Sequence, residues 1–165
     1  MKSKKNTFVS RAAVGCVTTA IFLLLCIIKG IYPFGIATLD TVDFQSQWIP
    51  AYYHVWDVLH GDGSAFFDWR VGGGNNFAGV SAQFSLFSPF NLFFLFVKRS
   101  WIEKSMIVFI IIKLLAMGYG MRWFLKEQIL KEERYGIYIL AGSVGYAVNG
   151  YTLLYYGMGW LDVAA

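Results

Sequence analysis

The chain has 165 residues, of which 57% are hydrophobic, 19% aromatic and 15% charged, with a mean hydropathy of +0.52. Soluble domains carry about 25% charged residues, so an ordinary soluble domain is excluded and an integral membrane protein is indicated. The net charge of +4 gathers at the ends of apolar runs, which suits anchoring at anionic lipid and leaves no basic stripe for nucleic acid.

The N-terminal "MKSKKNTFVSR" is basic, and "AAVGCVTTAIFLLLCII" follows it. The pattern predicts a cytoplasmic tail over 1–11 and a first transmembrane helix over 12–33. Its apolar core is near the lower limit of about 17 residues, and Lys29 can snorkel to the interface. A cleaved signal peptide is the alternative, but no small-residue cleavage site before a soluble domain is present. Cys16 and Cys26 fall in this run. On a helix they stand roughly 80° and about 15 Å apart, too far to pair.

Residues 34–104 are the most polar section and, by the positive-inside rule, form an extracytoplasmic loop. Within it "DFQSQWIPAYYHVWDVLHGDG" predicts an amphipathic helix lying at the interface, with Asp43 as N-cap and "GDGS" as its stop. Pro50 either kinks this helix or opens a second turn. "DWRVGGGNNFAG" is a glycine-rich loop. Residues 84–97, "FSLFSPFNLFFLFV", are apolar but about half a spanning length and contain Pro89 and Asn91. They are expected to be interfacial or re-entrant.

A second transmembrane helix is expected over 105–125, a basic cytoplasmic loop over 126–134, and a third span over 135–158 with small residues at helix-packing spacing. Residues 159–165 open the next outer loop or helix, and the chain reads as the N-terminal piece of a longer protein. The expected fold is all-α integral membrane: about three transmembrane helices plus interfacial helices in a long first extracytoplasmic loop.

Asp40 and Asp43 are the sharpest chemical feature. At i and i+3 two carboxylates share a helix face. They can raise one another's pKa or hold a divalent cation. The plainer alternative is a cap at Asp43 and a solvated turn residue at Asp40. His54, Asp57 and His60 fan over roughly 120° of a helix; a metal site there competes with a simple polar helix edge. "RVGGGNN" can bring backbone N–H groups to an anion but matches no phosphate-loop motif. Arg70, Lys98, Arg99 and Lys104 are phosphate ligands or interface anchors. Lys113, in mid-span, faces a cavity or a partner, with Asp162 a candidate partner. Asn149 is expected to bridge helices.

The motifs "DFQSQWIP", "DWRVGGGNNFAG", "FSPFNLFFLF", "GYAVNGY" and "WLD" occur in the order seen in the bacterial YfhO family, which this chain resembles from about residue 43 onward. YfhO-like proteins resemble GT-C glycosyltransferases, which take sugar from a polyprenyl-phosphate donor on the outer membrane face. The family is associated with teichoic acid glycosylation. The resemblance implies a membrane glycosyltransferase with a lipid-linked sugar donor, an envelope-polymer acceptor and membrane lipids as partners, and no nucleic acid. It puts the family's Asp-x-x-x-Gln-Tyr acid on Asp43 with Gln47, where Trp48 replaces the usual Tyr. It puts Trp-Leu-Asp on Trp160, Leu161 and Asp162. The expected site is then Asp43 and Asp40 for catalysis. Gln47, Arg70, Gly72, Gly73, Gly74, Asn75, Asn76 and Asp162 would bind substrate. Cofactors are not specified beyond a divalent cation on the acid pair. The competing function is a transporter or flippase for a lipid-linked envelope precursor, built on Lys113 and Asp162.

Overall fold

The structure is a computed structural model that describes residues 2–37, 39, 44–70, 72–77, 79, 88–130 and 136–155. The described part is mostly helical. Helix α1 runs Lys2–Ile28, so the basic N-terminus expected as a tail continues the helix; lysine is a good helix former. The helix stops before the expected boundary at 33, where Gly30 takes a left-handed φ of 61° that an L side chain resists. A turn follows, closed by a bridge between Ile31 and Ala37.

A short π-helical turn, Phe44–Trp48, leads into α2, Ile49–Leu59. Pro50 lies in the first turn of α2, where its missing N–H costs nothing, so it opens the helix rather than kinking it. The helix closes at Gly61, φ 82°, with the Asp62 N–H donating to Asp57 O at 2.8 Å. Beyond it, β1 (Phe67–Asp68) and β2 (Asn75–Asn76) pair antiparallel, Phe67 opposite Asn76 and Asp68 opposite Asn75. Gly72, Gly73 and Gly74 form the tip of this hairpin, all with positive φ.

Pro89–Phe96 is a 3-10 helix begun by Ser88, whose Oγ accepts from the Phe90 N–H. At about 2.0 Å per residue it is roughly 16 Å long, half of the hydrocarbon thickness. It packs on α2 and on helix α3, Ile102–Phe124. Phe94, fully buried, is the centre of that contact. Its ring lies 5.2 Å from Tyr52 and 5.0 Å from Phe109. Trp56 Nε1 donates to Val97 O at 2.7 Å and ties the end of the segment to α2.

Among the described residues, two helical stretches are long and apolar enough to cross a membrane: Arg11–Ile28, with mean hydropathy 2.2, and Arg99–Ile129, with mean hydropathy 1.6. Leu24, Ile27 and Ile28 on the first are exposed, as on a lipid-facing helix. Helix α3 packs on α1 and on α4, Gly136–Ala147. Gly118 is where the three meet. A Cβ there would lie 3.2 Å from Val14 Cγ1 and 3.6 Å from Ala147 Cβ, so a larger side chain would force the helices apart.

The third apolar segment differs from the continuous span expected over 135–158. Helix α4 ends at Ala147 and α5, Gly150–Tyr155, begins after a break. Asn149 causes it. Its Oδ1 accepts from the Thr152 N–H at 3.0 Å and its Nδ2 donates to Tyr146 O at 2.6 Å. Asn149 therefore caps a helix locally instead of bridging two. The 12 residues of α4 extend about 18 Å.

Candidate functional site

Helix α2, the hairpin and the start of α3 border an open cavity of about 770 Å³. Helix periodicity places Tyr53, His54 and Asp57 of α2 along its wall; Arg70 and Gly72 come from the hairpin, Arg99 from the approach to α3 and Glu103 from its first turn. Gln45 and Gln47 line it from the π-helical turn.

Asp57 is the electrostatic hub. Its side chain is 7% exposed and joins two half-exposed guanidiniums. Arg99 donates from Nε to Oδ1 at 2.7 Å and from Nη2 to Oδ2 at 3.3 Å, and Arg70 Nη1 donates to Oδ2 at 3.1 Å. The Arg99 hydrogen bonds, helped by both positive charges, hold the carboxyl below its ordinary range against the opposing pull of burial. Asp68 is held lower still by the Arg70 side chain and backbone N–H. Arg70 Nη2 reaches Asp68 Oδ2 at 2.6 Å and Asp62 O at 3.2 Å. Both aspartates are ionised at neutral pH and committed to arginine. Neither is suited to take a proton as a general base.

His54 is buried, with Phe77 packed on its ring at 3.9 Å. Its Nε2 lies 3.1 Å from Ser64 O. A carbonyl only accepts, so Nε2 carries the proton and Nδ1 faces Asp68 Oδ2 at 3.7 Å. Tyr53 donates to Glu103 Oε1 at 3.3 Å, and burial together with the Glu103 charge raises its pKa.

A second cavity of about 340 Å³ lies between the turn after α1 and the start of α3. Ile31, Ile36 and Ile107 line it, with Lys104. Gln45, Ile49 and Glu103 line both cavities, so the two share a wall.

Of the residues expected in the site, Gln47, Arg70 and Gly72 are brought to one cavity. Gly73 and Gly74 turn the hairpin. Asn75 and Asn76 form β2, where the Asn75 Oδ1 accepts from the Asn76 N–H and the Asn76 Oδ1 from the Gly79 N–H. These four shape the loop and are not among the cavity-lining residues. Asp40, Asp43 and Asp162 lie outside the described residues. His54, Asp57 and His60 do not converge: the His60 ring stacks on Trp56 at 3.8 Å. No group of three or more metal-ligating side chains occurs among the described residues.

Nor are His54 and Asp57 a solvated helix edge, since both are buried. An Asp three residues after a His on an otherwise apolar helix stripe was the available signal. Its arginine partners, distant in sequence, carried none. Lys113 is 1% exposed with Nζ over the Phe109 ring at 4.4 Å. It does not line either cavity.

The family model described as bacterial membrane protein YfhO matches residues 15–165. No curated protein and no solved structure matches the chain.

Proposed function

The chain belongs to the YfhO family of bacterial membrane proteins, and from that premise we propose that it is a membrane glycosyltransferase of the GT-C type. It moves a sugar from a polyprenyl-phosphate donor to an envelope polymer such as teichoic acid, on the outer face of a multi-pass protein whose N-terminus is cytoplasmic. The observation that carries this proposal is the pair of cavities with a common wall, the larger holding Asp57, Arg70 and Arg99 and the smaller bringing Ile31, Ile36, Phe44 and Ile107 together with Glu103 and Lys104. That pairing suits an amphiphile whose sugar and phosphate occupy the first and whose leading isoprene units occupy the second.

In the reaction, an acceptor hydroxyl attacks the anomeric carbon as the bond from that carbon to the phosphate oxygen breaks. The lipid phosphate leaves with the electron pair. The hydroxyl proton goes to the Asp43 carboxylate, and the anomeric centre inverts. Asp40 supports Asp43 as a second acid or as co-ligand of a divalent cation. Cationic side chains at the cavity stabilise the departing phosphate.

Transfer of radiolabelled sugar from a polyprenyl-phosphate donor by membranes containing the chain tests this. Asp43→Asn should abolish transfer at unchanged protein level; undiminished product would remove Asp43 from the mechanism. A transporter or flippase is favoured only by Lys113, buried in mid-span. Movement of the donor across vesicles without bond cleavage would select it.

A further inference from the structure

Resting on the lipid-donor proposal, we propose that Arg99, and not Arg70, contacts the donor's phosphate, and that Asp57 is the positioning residue that divides the labour between them. The basis is a count of donors. A guanidinium has five N–H groups in a fixed fork. Arg70 directs Nε and Nη2 to Asp68, a further Nη2 contact to Asp62 O, and Nη1 to Asp57. All three nitrogens are engaged, and the carboxylates they meet belong to the hairpin stem and to α2. Arg70 is thereby a staple holding the hairpin against α2. Of its five N–H groups only one, on Nη1, is left for a phosphate unless a carboxylate is displaced, whereas Arg99 keeps three.

Arg99 is different. Asp57 takes only one side of its fork, Nε and part of Nη2, and its Nη1 makes no hydrogen bond among the described residues. The guanidinium carbon stands 5.0 Å from the Tyr53 ring centroid, so the plane is steadied by aromatic contact. The side chain is 53% exposed and lines the larger cavity. Arg99 sits close in sequence to Glu103, on the shared wall, and Lys104, in the smaller cavity. The phosphate of an amphiphile spanning both cavities belongs at that junction. Asp57 aims the remaining Nη donors of Arg99 while its other oxygen retains Arg70.

The test uses the chain in nanodiscs, with a short-chain prenyl phosphate and the matching uncharged prenol as probes. Amide hydrogen exchange over 66–77 serves as the structural readout. Arg99→Gln should weaken prenyl phosphate binding about tenfold or more, the loss of a charge-assisted pair. It should leave prenol binding and hairpin exchange as they were. Arg99→Lys, a point charge without the fork, should recover part of the affinity. Arg70→Gln should speed hairpin exchange, and any affinity it costs should be shared by prenol. Equal prenyl phosphate affinity in Arg99→Gln and the unmodified chain would overturn the assignment. So would a hairpin opened by Arg99→Gln as much as by Arg70→Gln. Failure of the unmodified chain to prefer prenyl phosphate over prenol would overturn the lipid-donor proposal itself, and this assignment with it.

Discussion

Replacing Asp57 by Asn removes the charge that holds α2, the hairpin and the segment before α3 together. An exposed ion pair is worth about 0–1 kcal/mol. Breaking a fully buried pair costs about 3–5 kcal/mol, because the orphaned charge stays buried. Here the buried member is the one removed, and the orphans, Arg70 and Arg99, are 52% and 53% exposed. They rehydrate, so the cost falls between the limits, at about 2 kcal/mol. The new amide also sets N–H against N–H, which adds to the loss. The folded-state pKa of Asp57 lies below its ordinary value of 3.8. Its contribution is therefore complete above that value and drains away as pH falls through the lower folded value. Equilibrium unfolding in mild detergent should show a constant gap between the chain and Asp57→Asn from about pH 8 to about pH 5. The gap should narrow below about 3.8. Hydrogen exchange over 66–77 should quicken in the variant at neutral pH. A gap absent at neutral pH, or undiminished at about pH 3, would refute the hub role.

Phe94→Ala should cost about 3–5 kcal/mol in the same unfolding assay, since Phe94 is fully buried among Tyr52, Phe93 and Phe109. Gly118→Leu should wedge α1, α3 and α4 apart and destabilise by at least about 1–3 kcal/mol, whereas Gly118→Ala, with its Cβ 3.2 Å from Val14, should cost less. Trp56→Phe deletes the bond to Val97 O and should loosen exchange of the 3-10 segment with a stability loss of about 1 kcal/mol. With Cys16 and Cys26 replaced by Ser, a cysteine at exposed Asp62 should react with an impermeant maleimide on intact cells. A cysteine at exposed Gln128 should react only after permeabilisation; the opposite pattern would invert the proposed topology.

Much of the architecture was legible because the bilayer imposes it. The lengths of the apolar runs pick out α1 and α3, and Pro89 with a half-length run marks a segment too short to cross. Break positions were less legible where one residue decides them. Asn149 looks like a polar residue in a span until its two local hydrogen bonds show it capping α5. The N-terminal lysines read as a tail because charge pattern signals topology, whereas backbone hydrogen bonding extends the helix through them.

The site divides along the same line. Residue type and motif mark Arg70, Gln47 and Gly72, and the fold gathers them at one cavity. Asp57 and Arg99 stand 42 residues apart. No periodicity links residues so distant, since their meeting depends on how α2 docks beside the segment before α3. By itself the sequence determined that the protein is apolar enough for a membrane, where its longest helices lie, and which family motifs it carries. Only the tertiary structure decided which charges pair and which guanidinium retains more free donors. Helix length and hydropathy are sums over neighbouring residues, whereas ion pairing depends on angstrom-scale distances between segments that the chain order does not encode locally.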